Sequence, residues 1–159
     1  MGIRALLQQN VAIVEAVQWT TGKMAKAAFP LTKNNSFRLG TGWDWRVVRL
    51  TYGGVPYRLL VAFHSMKQNA LAYLGIETGN DTLVVCMLET HSTHAGWHVH
   101  ASCNEKDALP GRLRFPGLRR IPRKDSRHTA IGLFTKEDVL RRALRLFRAV
   151  SLKEMILNA

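Results

Sequence analysis

The stretch that decides the fold reads Trp45-Arg-Val-Val-Arg-Leu-Thr-Tyr52, Gly53-Gly54, Val55-Pro-Tyr-Arg-Leu-Leu-Val-Ala-Phe-His64. Its two halves, residues 45–52 and 55–64, are rich in valine, leucine and tyrosine, a composition that favours β-strands. Only two glycines separate the halves, and glycine readily adopts the positive φ angles that a tight hairpin turn requires. The stretch therefore predicts an antiparallel β-hairpin.

Three further strands are predicted downstream. Residues 69–77 and 82–90 form a second pair around the turn-like segment Gly79-Asn80-Asp81. Residues 96–103 then alternate apolar and polar side chains with the period of two that a half-buried strand shows. Because the connections are short, we expect an antiparallel meander of about five strands over residues 44–103.

Helices are predicted on both sides of the sheet. Apolar residues recur at near-helical spacing from residue 3 to residue 18, and a short second helix would end before Pro30, so N-terminal helices are expected over about 3–29. Thr135 and Asp138 form a capping-box pattern, which predicts a C-terminal helix over about 135–150. The expected fold class is α+β, in a single domain spanning 1–159.

The amino-acid composition indicates where in the cell the protein is located. The chain of 159 residues is 47% hydrophobic, which is ordinary for one globular domain. No apolar run approaches the roughly 20 residues of a membrane-spanning helix, and the N-terminus makes a poor signal peptide. Cys86 and Cys103 are too few for a disulfide framework. We therefore expect a cytoplasmic protein with no membrane association.

Charge points to a polyanionic partner. The chain has 23 basic and 11 acidic residues, a net charge of +12, and the excess is concentrated in residues 91–159, which hold fourteen basic and six acidic residues. A basic field of this size attracts nucleic acid first and an acidic partner protein second.

The basic residues lie in a proline-punctuated loop, 104–128, and on one face of the C-terminal helix. Arginine forks bind phosphate bidentately, and prolines hold a segment extended along a nucleic-acid backbone. The candidate nucleic-acid-binding residues are Arg112, Arg114, Arg119, Arg120, Arg123, Lys124, Arg127, Arg141 and Arg145.

Four of the six histidines fall within ten residues. His98 and His100 must share one face of their strand, because side chains alternate with period two. Clustered imidazoles suit metal ligation or proton transfer near neutral pH. The candidate ligands of a divalent metal ion are His91, His94, His98 and His100.

Two registers are possible between the strand at residues 96–103 and the preceding strand at residues 82–90. If paired residue numbers sum to 187, Glu89 lies beside His98 and Met87 beside His100. If they sum to 186, Glu89 faces Trp97 instead. The first register is favoured because it groups polar with polar residues and leaves one continuous apolar face. The candidate catalytic residues are then His98, His100 and Glu89.

The string Gly96-Trp97-His98-Val99-His100 resembles the His-hydrophobe-His motif of endonucleases that start rolling-circle replication or transposition. That resemblance implies a metal held by His98 and His100 and a helical tyrosine nucleophile. The chain's tyrosines, Tyr52, Tyr57 and Tyr73, all lie upstream in predicted strands, so the second element is not matched. The family is not assigned on five residues.

Two functions fit these patterns. The first is a histidine-dependent nuclease or phosphodiesterase whose basic loop binds the phosphates of its substrate. The second is a non-catalytic module that binds nucleic acid or an acidic protein and whose histidines are structural. The charge pattern fits both, so the surroundings of the histidines discriminate between them.

Overall fold

The computed structural model describes residues 8–32, 37–91, 94–102, 118–121 and 132–151. Within these ranges it contains nine strands and one helix of more than one turn. In chain order these are β1 (Val11–Ala16), β2 (Thr20–Thr21), β3 (Asp44–Tyr52), β4 (Val55–His64), β5 (Asn69–Thr78), β6 (Asp81–His91), β7 (His94–Ser102), β8 (Leu118–Ile121), α1 (Lys136–Leu146) and β9 (Ala149–Ser151).

All nine strands belong to one curled sheet with the order β8-β7-β6-β5-β4-β3-β1-β9, and the short β2 pairs separately with β3. The five strands predicted from the sequence appear as the consecutive antiparallel meander β3 to β7. The predicted α+β class is nevertheless wrong. The described part of the chain is mostly β, because the segments on either side of the meander extend the sheet.

The expected N-terminal helices over 3–29 are the main error. Residues 11–16 form β1, which pairs antiparallel with β3 and parallel with β9. This segment is rich in β-branched residues, and the open edge of β3 offers its backbone hydrogen-bond partners, so tertiary pairing outweighs the helical spacing. Val14 and Val17, two of the apolar residues whose spacing predicted a helix, are 58% and 41% exposed. Residues 1–7 lie outside the described ranges.

Both faces of the meander are covered. On one face, which we call the helix face, Val139, Ala143 and Phe147 pack against the sheet. On the other, the loop face, the segment between β2 and β3 covers the sheet with buried residues that include Phe29 and Leu39. Residues 59–63 are consequently at most 5% exposed regardless of which face they point to. A strand buried on both faces reads as a continuous apolar run, as in Leu-Leu-Val-Ala-Phe.

The C-terminal helix begins as predicted. The Thr135 hydroxyl accepts a hydrogen bond from the Asp138 backbone N–H at 3.2 Å, and the Asp138 carboxylate accepts one from the Thr135 N–H at 2.9 Å, which completes the capping box. The helix ends at Leu146 rather than near 150, because residues 149–151 leave it to pair with β1. Neither α1 nor any other helix in the described ranges has the length and apolar character needed to cross a membrane.

Candidate metal centre

The pairing of β6 with β7 is the register favoured from the sequence. Glu89 pairs with His98 and Met87 pairs with His100. The neighbours Leu88 and Val99 belong to the core on the helix face. Because side chains alternate along a strand, Glu89, His98 and His100 project from the loop face.

An irregularity at the end of this hairpin adds a third histidine. After the Glu89–His98 pair, the next paired residues are His91 and His94, so β7 contains two more residues than β6 in this interval. Gly96 lies in this longer segment of β7 and has a φ of 99°, a conformation that glycine adopts without strain. The His91 ring lies edge-on to His98, with ring centroids 5.0 Å apart.

Glu89, His91 and His98 form a candidate metal site. Each offers one ligand atom, and the three atoms lie within 4.8 Å of one another. Glu89 Oε2 is 3.9 Å from His98 Nε2, while the Tyr73 hydroxyl donates a 2.7 Å hydrogen bond to Glu89 Oε1. One carboxylate oxygen is therefore held by tyrosine and the other faces the imidazole. Two histidines and one carboxylate are a ligand set that zinc commonly takes.

Burial sets the protonation state of the central histidine. His98 is only 6% exposed. Loss of hydration is the main reason that its pKa falls from 6.5 to about 4, and the neighbouring His100 and His91 rings lower it further, against the opposing influence of the Gly96 carbonyl and of Glu89. The ring is therefore neutral at pH 7 in the metal-free protein, the form in which imidazole binds a metal.

The remaining predicted ligands and catalytic residues lie beside this centre. The His100 ring is 5.2 Å from the His98 ring, but His100 does not join the three ligand atoms that converge. His94 begins β7, and its side chain is outside the described part of the molecule.

The predicted nucleic-acid-binding residues separate into three groups. Arg119 and Arg120 lie on β8, whose backbone pairs with β7 so that Arg120 is opposite His100. Arg141 and Arg145 lie on α1 and line a groove on the helix face. The others fall outside the described residues, namely Arg112, Arg114, Arg123, Lys124 and Arg127.

The sheet separates the histidines from the helix arginines. Glu89 and His98 project from the loop face, whereas α1 covers the helix face. The arginines of α1 and the histidines therefore lie on opposite faces of the sheet. On the described residues, only Arg119 and Arg120 of the predicted basic set lie on a strand adjacent to the histidine strand.

Tyr73 was missed as a partner of Glu89. The sequence places it in a strand, but its position relative to β6 depends on a bulge between Leu74 and Gly75 that shifts the register by one residue. Without that shift, residue 73 would pair with Cys86 instead of Met87. A single-residue bulge leaves no clear pattern in the sequence, so this hydrogen bond was not predictable.

Comparisons of the chain with models of protein families, with curated proteins and with solved structures find no match.

Proposed function

We propose that this protein is a metal-dependent phosphodiesterase that acts on nucleic acid. The observation that carries the proposal is the convergence of Glu89, His91 and His98 within 4.8 Å on one face of the sheet. Structural zinc sites use four protein ligands, whereas catalytic sites use three and leave a position for water or substrate. Among the described residues the ligand set has three members, which is the pattern of a catalytic site.

The chemistry follows from the donors. A divalent cation at this centre would supply a bound water of lowered pKa, a nucleophile suited to attack on phosphorus. Tyr73 orients Glu89 through its 2.7 Å hydrogen bond, as partners of metal ligands commonly do. His100 lies beside the ligands without joining them, and we assign to it the transfer of a proton to or from the substrate.

Charge supports nucleic acid as the substrate. The net charge of +12 favours a polyanion, and β8 brings the backbone of Arg119 and Arg120 next to the strand that carries His98 and His100. A phosphate bound at that edge of the sheet would be close to the metal centre.

Metal binding and cleavage measured on the same preparations test the proposal. We expect about one zinc or manganese ion per chain, and cleavage of single-stranded RNA or DNA that chelator abolishes and added metal restores. Glu89→Gln and His98→Gln should each lose both properties. His64→Gln is the matched control, because His64 is a partly buried histidine at the end of β4 that belongs to neither the ligand set nor the predicted site. Absence of stoichiometric metal, or equal activity in all three variants, would refute the assignment.

The second candidate is a non-catalytic nucleic-acid-binding module. The burial of His98, at 6% exposed, favours it, because a structural metal or a packed histidine needs no access to substrate. Stoichiometric metal that raises the melting temperature, with nucleic-acid binding but no cleavage, would establish this alternative over the enzyme.

A further inference from the structure

A second candidate binding site, a groove, lies on the opposite side of the sheet from the metal centre. A groove of about 860 Å³ runs between α1 and the strands β6 and β7 on the helix face. Leu88, Trp97 and Phe134 provide apolar and aromatic surface, and α1 and the turn that follows it provide a row of arginines. The arginines that line the groove are Arg141, Arg142, Arg145 and Arg148.

The positive charge of this groove is weakly compensated. Asp138 is the one acidic residue among the described residues that line it, and its carboxylate already accepts from the helix cap and from Arg141 at 2.9 Å. Within the described ranges, neither Arg142 nor Arg145 makes an ion pair or a hydrogen bond through its guanidinium. A groove that contains unpaired guanidinium groups favours an anionic ligand.

The Trp97 ring prepares the groove for a ligand that is both aromatic and anionic. The Arg142 guanidinium lies over the Trp97 ring, 5.2 Å from its centroid, so the ring restricts its position and leaves its N–H edge available to phosphate. The Trp97 indole N–H is itself buried, so the side chain offers the groove its ring surface rather than this donor.

We propose that this groove binds a single strand of nucleic acid. Phosphates contact Arg142 and Arg145, and one base lies against the apolar surface. Alternating charge and flat aromatic surface is the pattern by which proteins hold single strands without reading their sequence. The site does not depend on the metal centre, since the sheet lies between them, so each proposal can fail while the other holds.

The test is equilibrium binding of a fluorescein-labelled single-stranded oligonucleotide, followed by fluorescence anisotropy with chelator present so that no cleavage occurs. The test variant is Arg142→Gln with Arg145→Gln. The matched control is Lys23→Gln with Lys26→Gln, which removes the same charge from two exposed residues of the segment between β2 and β3. Far-ultraviolet circular dichroism and thermal melting establish that both variants are folded.

We expect the arginine variant to bind at least about tenfold more weakly than the control variant. The slope of log K against log salt should fall by about 1.4, because each single-strand phosphate that is no longer neutralised reduces it by roughly 0.7. Arg142→Lys should recover only part of the affinity, because lysine keeps the charge but not the planar fork.

Equal weakening in the two double variants would show that only the overall charge matters, and would overturn the proposal. So would tighter binding of poly-glutamate than of the oligonucleotide with the same dependence on Arg142 and Arg145, since this would identify an acidic protein as the occupant.

Discussion

Acidification of the metal-free protein should lower its free energy of unfolding, because His98 is buried. The pKa of this histidine is about 4 in the folded protein, mainly because burial penalises the charged ring, and 6.5 is its ordinary value. Above about pH 7 the ring is neutral in both the folded and the unfolded chain, so it contributes nothing to the pH dependence. As the pH falls below 6.5, His98 binds a proton in the unfolded chain but stays neutral in the folded protein. The free energy of unfolding therefore decreases.

The magnitude follows from the two pKa values. The loss is about 2 kcal/mol at pH 5 and approaches about 3 kcal/mol near pH 4, where the folded protein also begins to bind the proton. The measurement is urea unfolding with chelator present at a series of pH values, for the natural sequence and for His98→Gln. Subtracting one curve from the other removes the contribution of groups that titrate identically in both proteins. More than half of the full difference should already be present at pH 5, above the range in which most carboxylates protonate.

Two results would refute the reasoning. The first is a pH dependence that is the same in both proteins. The second is a His98 ring whose proton resonances titrate near 6.5 in nuclear magnetic resonance spectra, because this would show that the ring is hydrated and does not lie in a buried position.

Other predictions concern single contacts. Tyr73→Phe should weaken metal binding about tenfold by calorimetric titration, because Glu89 loses the hydroxyl that orients it; unchanged affinity would exclude that role. A Cβ at Gly75 would collide with Thr82 Cγ2, so Gly75→Ala should cost about 1–3 kcal/mol of unfolding free energy. Adding Thr82→Ser, which removes that methyl group, should recover part of the loss, and strictly additive effects would contradict the predicted clash. Thr135→Ala should cost about 1 kcal/mol through loss of the helix cap, measured by urea unfolding, and no change would show that the cap is dispensable.

Local sequence patterns were sufficient to predict the strands of the meander and the start of the C-terminal helix. The pair Gly53-Gly54 adopts positive φ angles of 53° and 78° between β3 and β4, the backbone that two adjacent glycines predict. Thr135 and Asp138 form the predicted capping box. Each of these features depends on residues within a few positions of one another, and such short-range interactions can be inferred from the sequence.

The candidate site was predictable in part. The choice of register placed Glu89 beside His98 because one alternative grouped polar residues and left a continuous core, and the structure contains that pairing. His91, one of the candidate ligands named from the sequence, lies against His98 in the structure. The hydrogen bond from Tyr73 was not inferred, because it depends on an irregularity in strand pairing whose position the sequence pattern does not mark.

The sequence by itself determined the hairpins, the helix cap, the strong positive charge and the sharing of one strand face by His98 and His100, because these depend on local backbone preferences, composition and the period of two. The tertiary structure decided that residues 11–16 are a strand rather than a helix, because their backbone groups pair with the edges of β3 and β9. It also decided that the histidines and the arginines of α1 lie on opposite faces of the sheet. That separation depends on which face the helix covers, a packing choice between segments far apart in the chain.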